Sequence, residues 1–365
     1  MAKNKRIDAI IQNPDSKESP APTLPKRQKR VLGLIALTSF ITIMAALVLG
    51  AYAAVNYRYE VKPKGEARET VFEVPKGSGL SAIAGRLEAE GLIKSAFIFK
   101  LVTKLRGNEA NFKAGEFALT SPASMAQIYE NLAEGKAILY PFTAPEGLTS
   151  AQIIRSIMAH EALTGEISST PAEGTLLPET YMLPRAMKRD SLIKQMQAAQ
   201  TEMIDKLWET RQEGLPIKTK QEAIILASVV EKETGVGAER DLVAGVFINR
   251  LRKGIRLQSD PTIIYGVSKG EPLFNKAGQR RTLYRSEIDR KTDWNTYQID
   301  GLPKTPICNP GAEAIAAVLQ PAETDFLFFV ADGSGGHVFA KTVREHNNNV
   351  IAWRKIEQQR QKEQR

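Results

Sequence analysis

Apolar and polar positions change their spacing several times along the chain, and each spacing predicts a different element. Residues 31–55 run for 25 positions without a charge, VLGLIALTSFITIMAALVLGAYAAV. A helix of that length spans roughly 37 Å at about 1.5 Å per residue, more than the ~30 Å hydrocarbon core of a bilayer. After a short linker around Pro63 and Gly65, Val71-Phe72-Glu73-Val74 alternates as a strand does. Leu80, Ile83, Ala84 and Leu87 then share one helical face that Gly91 ends, with Ser78 or Ser81 as its cap. A second helix over 96–104, a turn and strand over 113–119 and a helix opening at Ser124 follow.

The larger stretch, 140–353, is mostly of helical period. Ile153, Ile154 and Ile157 follow Pro145-Glu146-Gly147-Leu148-Thr149. Residues 190–212 read as a solvated surface helix, 222–234 as a helix apolar all round, and 242–252 as an amphipathic one. The last opens with Glu239 and Asp241 and closes with Arg250, Arg252 and Lys253, the polarity that a helix dipole favours. Residues 326–330 suit a buried strand, 173–181 and 333–336 suit loops, and the final residues suit a charged, fraying helix.

Charge sharpens this picture. The formal net charge is +9, but residues 1–30 hold eight Lys or Arg against three Asp or Glu, and residues 354–365 hold five against two. The body between them is nearly neutral, so no basic face for phosphate is indicated and nucleic acid is not expected as a partner. Lys26, Arg27, Lys29 and Arg30 precede the apolar run, and Tyr52, Tyr57 and Tyr59 mark its far end. That asymmetry predicts a single-pass helix with a cytoplasmic N-terminus and everything after residue 60 outside the cytoplasm. Ala51-Tyr52-Ala53 also fits a signal-peptide cleavage site, but the run exceeds the roughly 7–15 residues of a signal core, which favours a retained anchor. The preceding tail, with Pro20, Pro22 and Pro25, is expected to be disordered.

Candidate chemistry is sparse. One cysteine, Cys308, and three histidines exclude a disulfide scaffold and a Cys- or His-rich metal centre. His337 and His346 stand nine apart, which is no metal spacing, and both read as structural. No metal and no cofactor is expected. Glu231 differs from the other acids because it closes the apolar run 223–230, where partial desolvation raises a carboxyl's pKa toward that of a general acid. A salt bridge at the helix end, with Lys232 or an Arg of the next helix, is the plain alternative. Glu233 lies about 200° further round the helix, so the two carboxyls share no site through this helix alone. Gln258-Ser259-Asp260-Pro261-Thr262 and Asn295-Thr296-Tyr297 offer the mixed donors and acceptors that sugar hydroxyls need. Asp260 is equally a helix N-cap ahead of Pro261, and Asn295 equally a loop cap.

Two resemblances organise these residues. Phe72, Val74, Gly77, Leu80, Ile83, Ala84 and Leu87 match the pattern of a LysM-like βααβ module, against the plain alternative of any small α+β unit. Leu226-Ala227-Ser228-Val229-Val230-Glu231-Lys232-Glu233-Thr234 is followed by Val246-Phe247-Ile248-Asn249-Arg250-Leu251, Leu257-Gln258-Ser259-Asp260-Pro261-Thr262 with Tyr265, Asn295-Thr296-Tyr297, Gly301-Leu302-Pro303, Phe329-Val330-Ala331-Asp332-Gly333 and Gly335-Gly336-His337-Val338-Phe339. In that order the motifs resemble the endolytic murein transglycosylase (YceG-like) family over nearly everything after the tail. Gly301-Leu302-Pro303-Lys304-Thr305-Pro306-Ile307 departs from the family's GLPPGPI, and the segment 173–181 departs from its EGYLFPDTY.

The resemblance implies an α+β chain with a basic tail (1–30), a transmembrane helix (31–55), a LysM-like module (60–139), a mixed α/β catalytic domain (140–353) and a charged C-terminal tail (354–365). It implies an inner-membrane enzyme that cuts the β-1,4 bond between N-acetylmuramic acid and N-acetylglucosamine, leaves a 1,6-anhydro end and terminates nascent glycan strands beside the wall synthases (penicillin-binding proteins). The catalytic glutamate then corresponds to Glu231, with Ser228, Gln258, Asp260, Asn295 and Tyr297 as candidates to hold substrate. A lytic cut works with one carboxyl because the substrate supplies its own nucleophile, whereas a hydrolase uses two, roughly 5–5.5 or 6.5–9.5 Å apart. Two alternatives stay open: a hydrolase with Asp260 or Glu233 as second carboxyl, and a wall-binding scaffold without activity.

Overall fold

A computed structural model describes residues 25–107 and 112–363. Its contacts divide the chain into two units, before and after residue 136. The expectation of a disordered tail falls mostly on residues 1–24, outside the described residues; Lys26 to Arg30 are already helical.

The first unit opens with α1 (Lys26–Glu60), one helix of 35 residues, longer at both ends than the uncharged run. Its apolar side chains are exposed as far as Ala54, and it is long and apolar enough to cross a membrane. β1 (Arg68–Val74) pairs antiparallel with β2 (Gly115–Ser121), setting Phe72 opposite Phe117. Between them lie α2 (Leu80–Ala89), which buries Leu80, Ile83, Ala84 and Leu87, and α3 (Ala96–Leu105), capped by the Ser95 hydroxyl accepting from the Ile98 N–H. The cap of α2 is neither serine but Gly79, with no side-chain bond. α4 (Met125–Ala133) starts at Ser124 with a capping box to Gln127. Tyr59, on the last turn of α1, is 1% exposed and packs against Phe99 at 6.1 Å.

In the second unit, β3 (Leu139–Thr143) leads through a capped turn to α5 (Ser150–Ala159), then β4 (Leu163–Thr164), β5 (Thr180–Pro184), β6 (Met187–Lys188) and α6 (Arg189–Glu209). β5 adds to β3 antiparallel and β6 to β4 in parallel, so part of the segment expected as loop is strand. α7 (Lys220–Glu233) is the axis of the unit. Thr219 and Glu222 close a capping box at its start, and every residue from Ala223 to Val230 is buried. Such a helix has no solvent face because its neighbours surround it: α6, α8 (Arg240–Arg252), α9 (Asp260–Ser268) and α11 (Ala312–Leu319) all pack on it. The short α10 (Arg285–Ile288) precedes α11.

Two expectations are corrected here. α8 is not amphipathic: Val243 to Ile248 are all buried and its charges stand only at the ends. The strand β7 (Phe328–Ala331) is half-buried rather than interior, because it forms a two-stranded ribbon with β8 (His337–Ala340) beside the exposed closing helix α12 (Val343–Glu363).

Candidate functional site

Two glutamates at the end of α7, Glu231 and Glu233, look in different directions. Glu233 lines a cleft of ≈ 480 Å³ together with Phe247, Arg250, Gln258, Asp260, Tyr297 and the β7 residues. Elements far apart in sequence build it, α12 included through His346 and Val350. α8 supplies Arg250, which is 7% exposed and spends its donors on the carbonyls of Leu327, Arg256 and Leu257 and on Gln258 Oε1. Those bonds tie β7 and the 256–258 turn to one guanidinium.

Gln258 sits at the mouth of the cleft with φ +54°, a left-handed conformation that a non-glycine residue keeps only where surrounding contacts hold it. The Gln258 N–H donates to the Thr296 carbonyl at 3.2 Å, and Arg250 holds its side chain. Asp260 is the first residue of α9 with Pro261 behind it. The residue in the cap position is Ser259, whose hydroxyl makes no capping bond, so the expected capping by Asp260 gives way to a different duty: its Oδ1 accepts from Tyr297 Oη at 2.8 Å.

This surrounding is costly for a charged carboxyl. Burial raises Glu233 from its ordinary value to about 7, the adjacent Asp260 charge adding to the rise while Ser259 and His337 oppose it. His337 is itself fixed, its Nδ1 within 2.8 Å of Glu239 Oε2 and its N–H donating to Glu239 Oε1 at 2.9 Å. Tyr297 is pushed well above the ordinary phenol range by burial and by Asp260, so it stays a protonated donor.

Glu231 points elsewhere. Its Oε2 accepts the Gly311 N–H at 3.1 Å, at the start of α11. Burial raises its pKa, Gly311 opposes the rise, and the charge of Glu146 adds to it. Arg240, buried at the start of α8, faces the same group, bonding Glu313 and reaching to 4.0 Å from Glu146. A carboxylate at a helix N-terminus beside an arginine of the next helix is the plain alternative weighed for Glu231 in the sequence.

Two other candidates are used up inside the fold. Ser228 is 0% exposed; its hydroxyl donates to the Ile225 carbonyl and accepts the Ile307 N–H. Asn295 is 1% exposed, and its amide donates to the carbonyls of Ile288 and Arg290 at 2.9 and 2.6 Å. Both hold loops, and neither lines the cleft. The structure thus brings together Gln258, Asp260 and Tyr297, sets Glu233 among them, and leaves Ser228, Asn295 and Glu231 outside.

Arg250 and Phe247 were missed as cleft residues; the signal was a buried arginine at the end of an otherwise apolar helix. Asn309 was missed as well: fully buried, it accepts the Leu176 N–H and donates to the Leu148 carbonyl, clamping two loops under α5. Cys308 is 0% exposed with its thiol against the Ser228 carbonyl, and burial pushes its pKa well up. Among the described residues no group of three or more His, Cys, Asp or Glu is placed to hold a metal.

Comparison with known proteins adds four findings. The model of the YceG-like family matches residues 72–352. The endolytic murein transglycosylase of Bacillus subtilis is 30% identical over 317 residues, 77% of this chain and 84% of that protein. The protein of the same name from Streptococcus pneumoniae is 29% identical across 86% of this chain, which spans 64% of the pneumococcal length. A crystal structure of a YceG-like protein from Listeria monocytogenes aligns at 28% identity with a TM-score of 0.47, covering 78% of this chain and 99% of that one.

Proposed function

Because this chain belongs to the YceG-like family, we propose that it is a membrane-anchored lytic transglycosylase of peptidoglycan whose acid and base is Glu233. The observation that carries the residue assignment is the cleft, where a carboxyl held near pH 7 shares one cavity with Gln258, Asp260 and Tyr297. The sequence alone favoured Glu231, whose neighbours are a helix start and an arginine. Ser228 and Asn295 act in this reading by supporting the site rather than by touching glycan.

Glu233 in its protonated form gives its proton to the glycosidic oxygen between N-acetylmuramic acid and N-acetylglucosamine, and the bond to C1 breaks. The carboxylate left behind takes the proton of the muramoyl C6 hydroxyl as that oxygen attacks C1. The product carries a 1,6-anhydro ring, no water is consumed, and Glu233 ends protonated as it began. A pKa near 7 suits a group that must give and take a proton in turn. Asp260, oriented by the Tyr297 hydroxyl, faces the positive charge developing at C1 and stabilises it. Gln258 offers its amide to sugar hydroxyls.

The remaining readings complete this one. Residues 31–55 hold the chain in the inner membrane with residues 1–30 in the cytoplasm, residues 60–139 form a LysM-like module, and residues 140–353 form the catalytic domain. An enzyme so placed cuts new glycan strands close to the membrane, beside penicillin-binding synthases.

Digestion of purified peptidoglycan by the full chain in detergent, with mass spectrometry of the fragments, tests the assignment. Anhydro ends are expected from wild type and from Glu231→Gln, and none from Glu233→Gln. The opposite pattern moves the acid to Glu231. Reducing ends identify a hydrolase and make Asp260 its second carboxyl. Binding to the wall with no cut from any form leaves the scaffold.

A further inference from the structure

α3 carries two apolar faces, and among the described residues only one of them is fully covered. Ala96, Phe99, Val102 and Thr103 are buried in the first unit. Phe97, Leu101 and Leu105 follow each other at spacings of four on the outer side; Phe97 is 68% and Leu105 63% exposed, and Leu101 is half-buried. Lys100 and Lys104 stand within that stripe, and Lys94 is exposed just before the helix. A small unit that leaves two large apolar side chains in water beside lysines has the makeup of an interfacial helix.

The end of α1 fixes where this stripe lies. Arg106, directly after α3, bonds Glu60 at 2.6 Å and Asn56 at 3.5 Å and stands over the Tyr59 ring at 4.9 Å. At its other end, Ser95 and Ile98 share a pocket with Tyr57, Arg58, Val61 and Pro63. Both ends of α3 therefore meet α1 at the level of residues 56–63, so α3 crosses α1 instead of running along it. The uncharged run stops at Val55. One to five residues further is about 2–8 Å along the helix. The headgroup layer of one leaflet is about 5–8 Å deep. The crossing thus falls within that layer, provided α1 spans the membrane.

We infer that the stripe Phe97-Leu101-Leu105, with Lys94, Lys100 and Lys104, is a membrane-contact surface by which the small unit rests in the headgroup layer of an anionic bilayer. The inference rests on the anchor reading of α1. The apolar side chains enter the interface and the ammonium groups meet lipid phosphates, as apolar burial and the attraction of lysine to anionic lipid favour. The unit then stays flat on the membrane at one height.

The full chain, with Cys308→Ala as background, is reconstituted in vesicles of phosphatidylglycerol and phosphatidylcholine. A fluorophore sensitive to polarity is attached at Phe97→Cys, Leu105→Cys, Glu69→Cys or Ile41→Cys, and quenching by lipids spin-labelled at the headgroup or at mid-chain is read. Quenching by the headgroup label is expected several-fold stronger at 97 and 105 than at 69. Lys100→Glu with Lys104→Glu lowers it in anionic vesicles and leaves it unchanged in pure phosphatidylcholine. Equal quenching at 97, 105 and 69, with strong mid-chain quenching at 41, overturns the contact and keeps the anchor. A probe at 97 sheltered from aqueous iodide but not quenched by lipid assigns the stripe to a protein partner, which also overturns it. Failure of quenching at 41 removes the anchor itself, and the contact falls with it.

Discussion

A carboxyl whose pKa rises on folding affects stability in a direction that can be measured. Glu233 titrates near 7 in the fold against an ordinary 4.5. The folded chain therefore holds this proton more tightly than the unfolded one. Its contribution is fully present below about pH 4.5 and is lost as pH rises through 7. Glu233→Gln removes the charge and is expected to melt several degrees higher than wild type at pH 8, with the gap closing toward pH 5; calorimetry at both pH values checks it. Such a gain in stability is the usual trade if Glu233 is the acid, as proposed. Asp260 gives a second handle. Its charge raises Glu233, so Asp260→Asn moves the alkaline limb of the pH–rate profile to lower pH besides reducing turnover. An unmoved limb would separate Asp260 from Glu233.

At the scale of elements, the cleft depends on how closely α8 approaches its neighbour. A Cβ on Gly245 would stand 2.7 Å from the Ala322 carbonyl oxygen, so the helix sits where it does only because position 245 is glycine. Gly245→Ala is expected to push α8 outward, carry Arg250 away from Leu327 and Gln258, and cut activity at least tenfold while the helix content by circular dichroism stays. Leu226→Ala, in the fully buried stretch of α7, tests the core instead and is expected to lower stability by about 2–5 kcal/mol in denaturant unfolding.

These same elements show what spacing and composition reveal. The buried positions of α2 were legible because Leu80, Ile83, Ala84 and Leu87 face a single core. The direction of Glu231 and Glu233 was not, since a helix buried on all sides has no apolar face against which to orient a carboxyl. Which acid meets Asp260 is decided by α9 and the 295–297 loop, far away in sequence. Asn295 and Ser228 were plausible sugar ligands by type; only their buried, completed hydrogen bonds assign them to the scaffold. Tyr265, quoted with the motif, packs against Trp294 at 5.6 Å instead of entering the cleft.

For the whole molecule, the long apolar helix α1 and the rest of the first unit are one folded object, because Tyr59 and Glu60 of α1 are structural parts of that unit. A chain starting at residue 62 is expected to lose that support, about 3 kcal/mol for the missing Tyr59 ring, and to be clipped between residues 62 and 136 by dilute protease far sooner than one starting at residue 50. The second unit should resist equally in both. The lone cysteine offers a different use of the same core. Cys308 lies under α7 with its thiol protonated and sealed, so a maleimide can reach it only while the centre of the second unit is open. The rate at which the native protein takes up the reagent is then a built-in clock for spontaneous opening, readable in living cells and in vesicles without any engineered label.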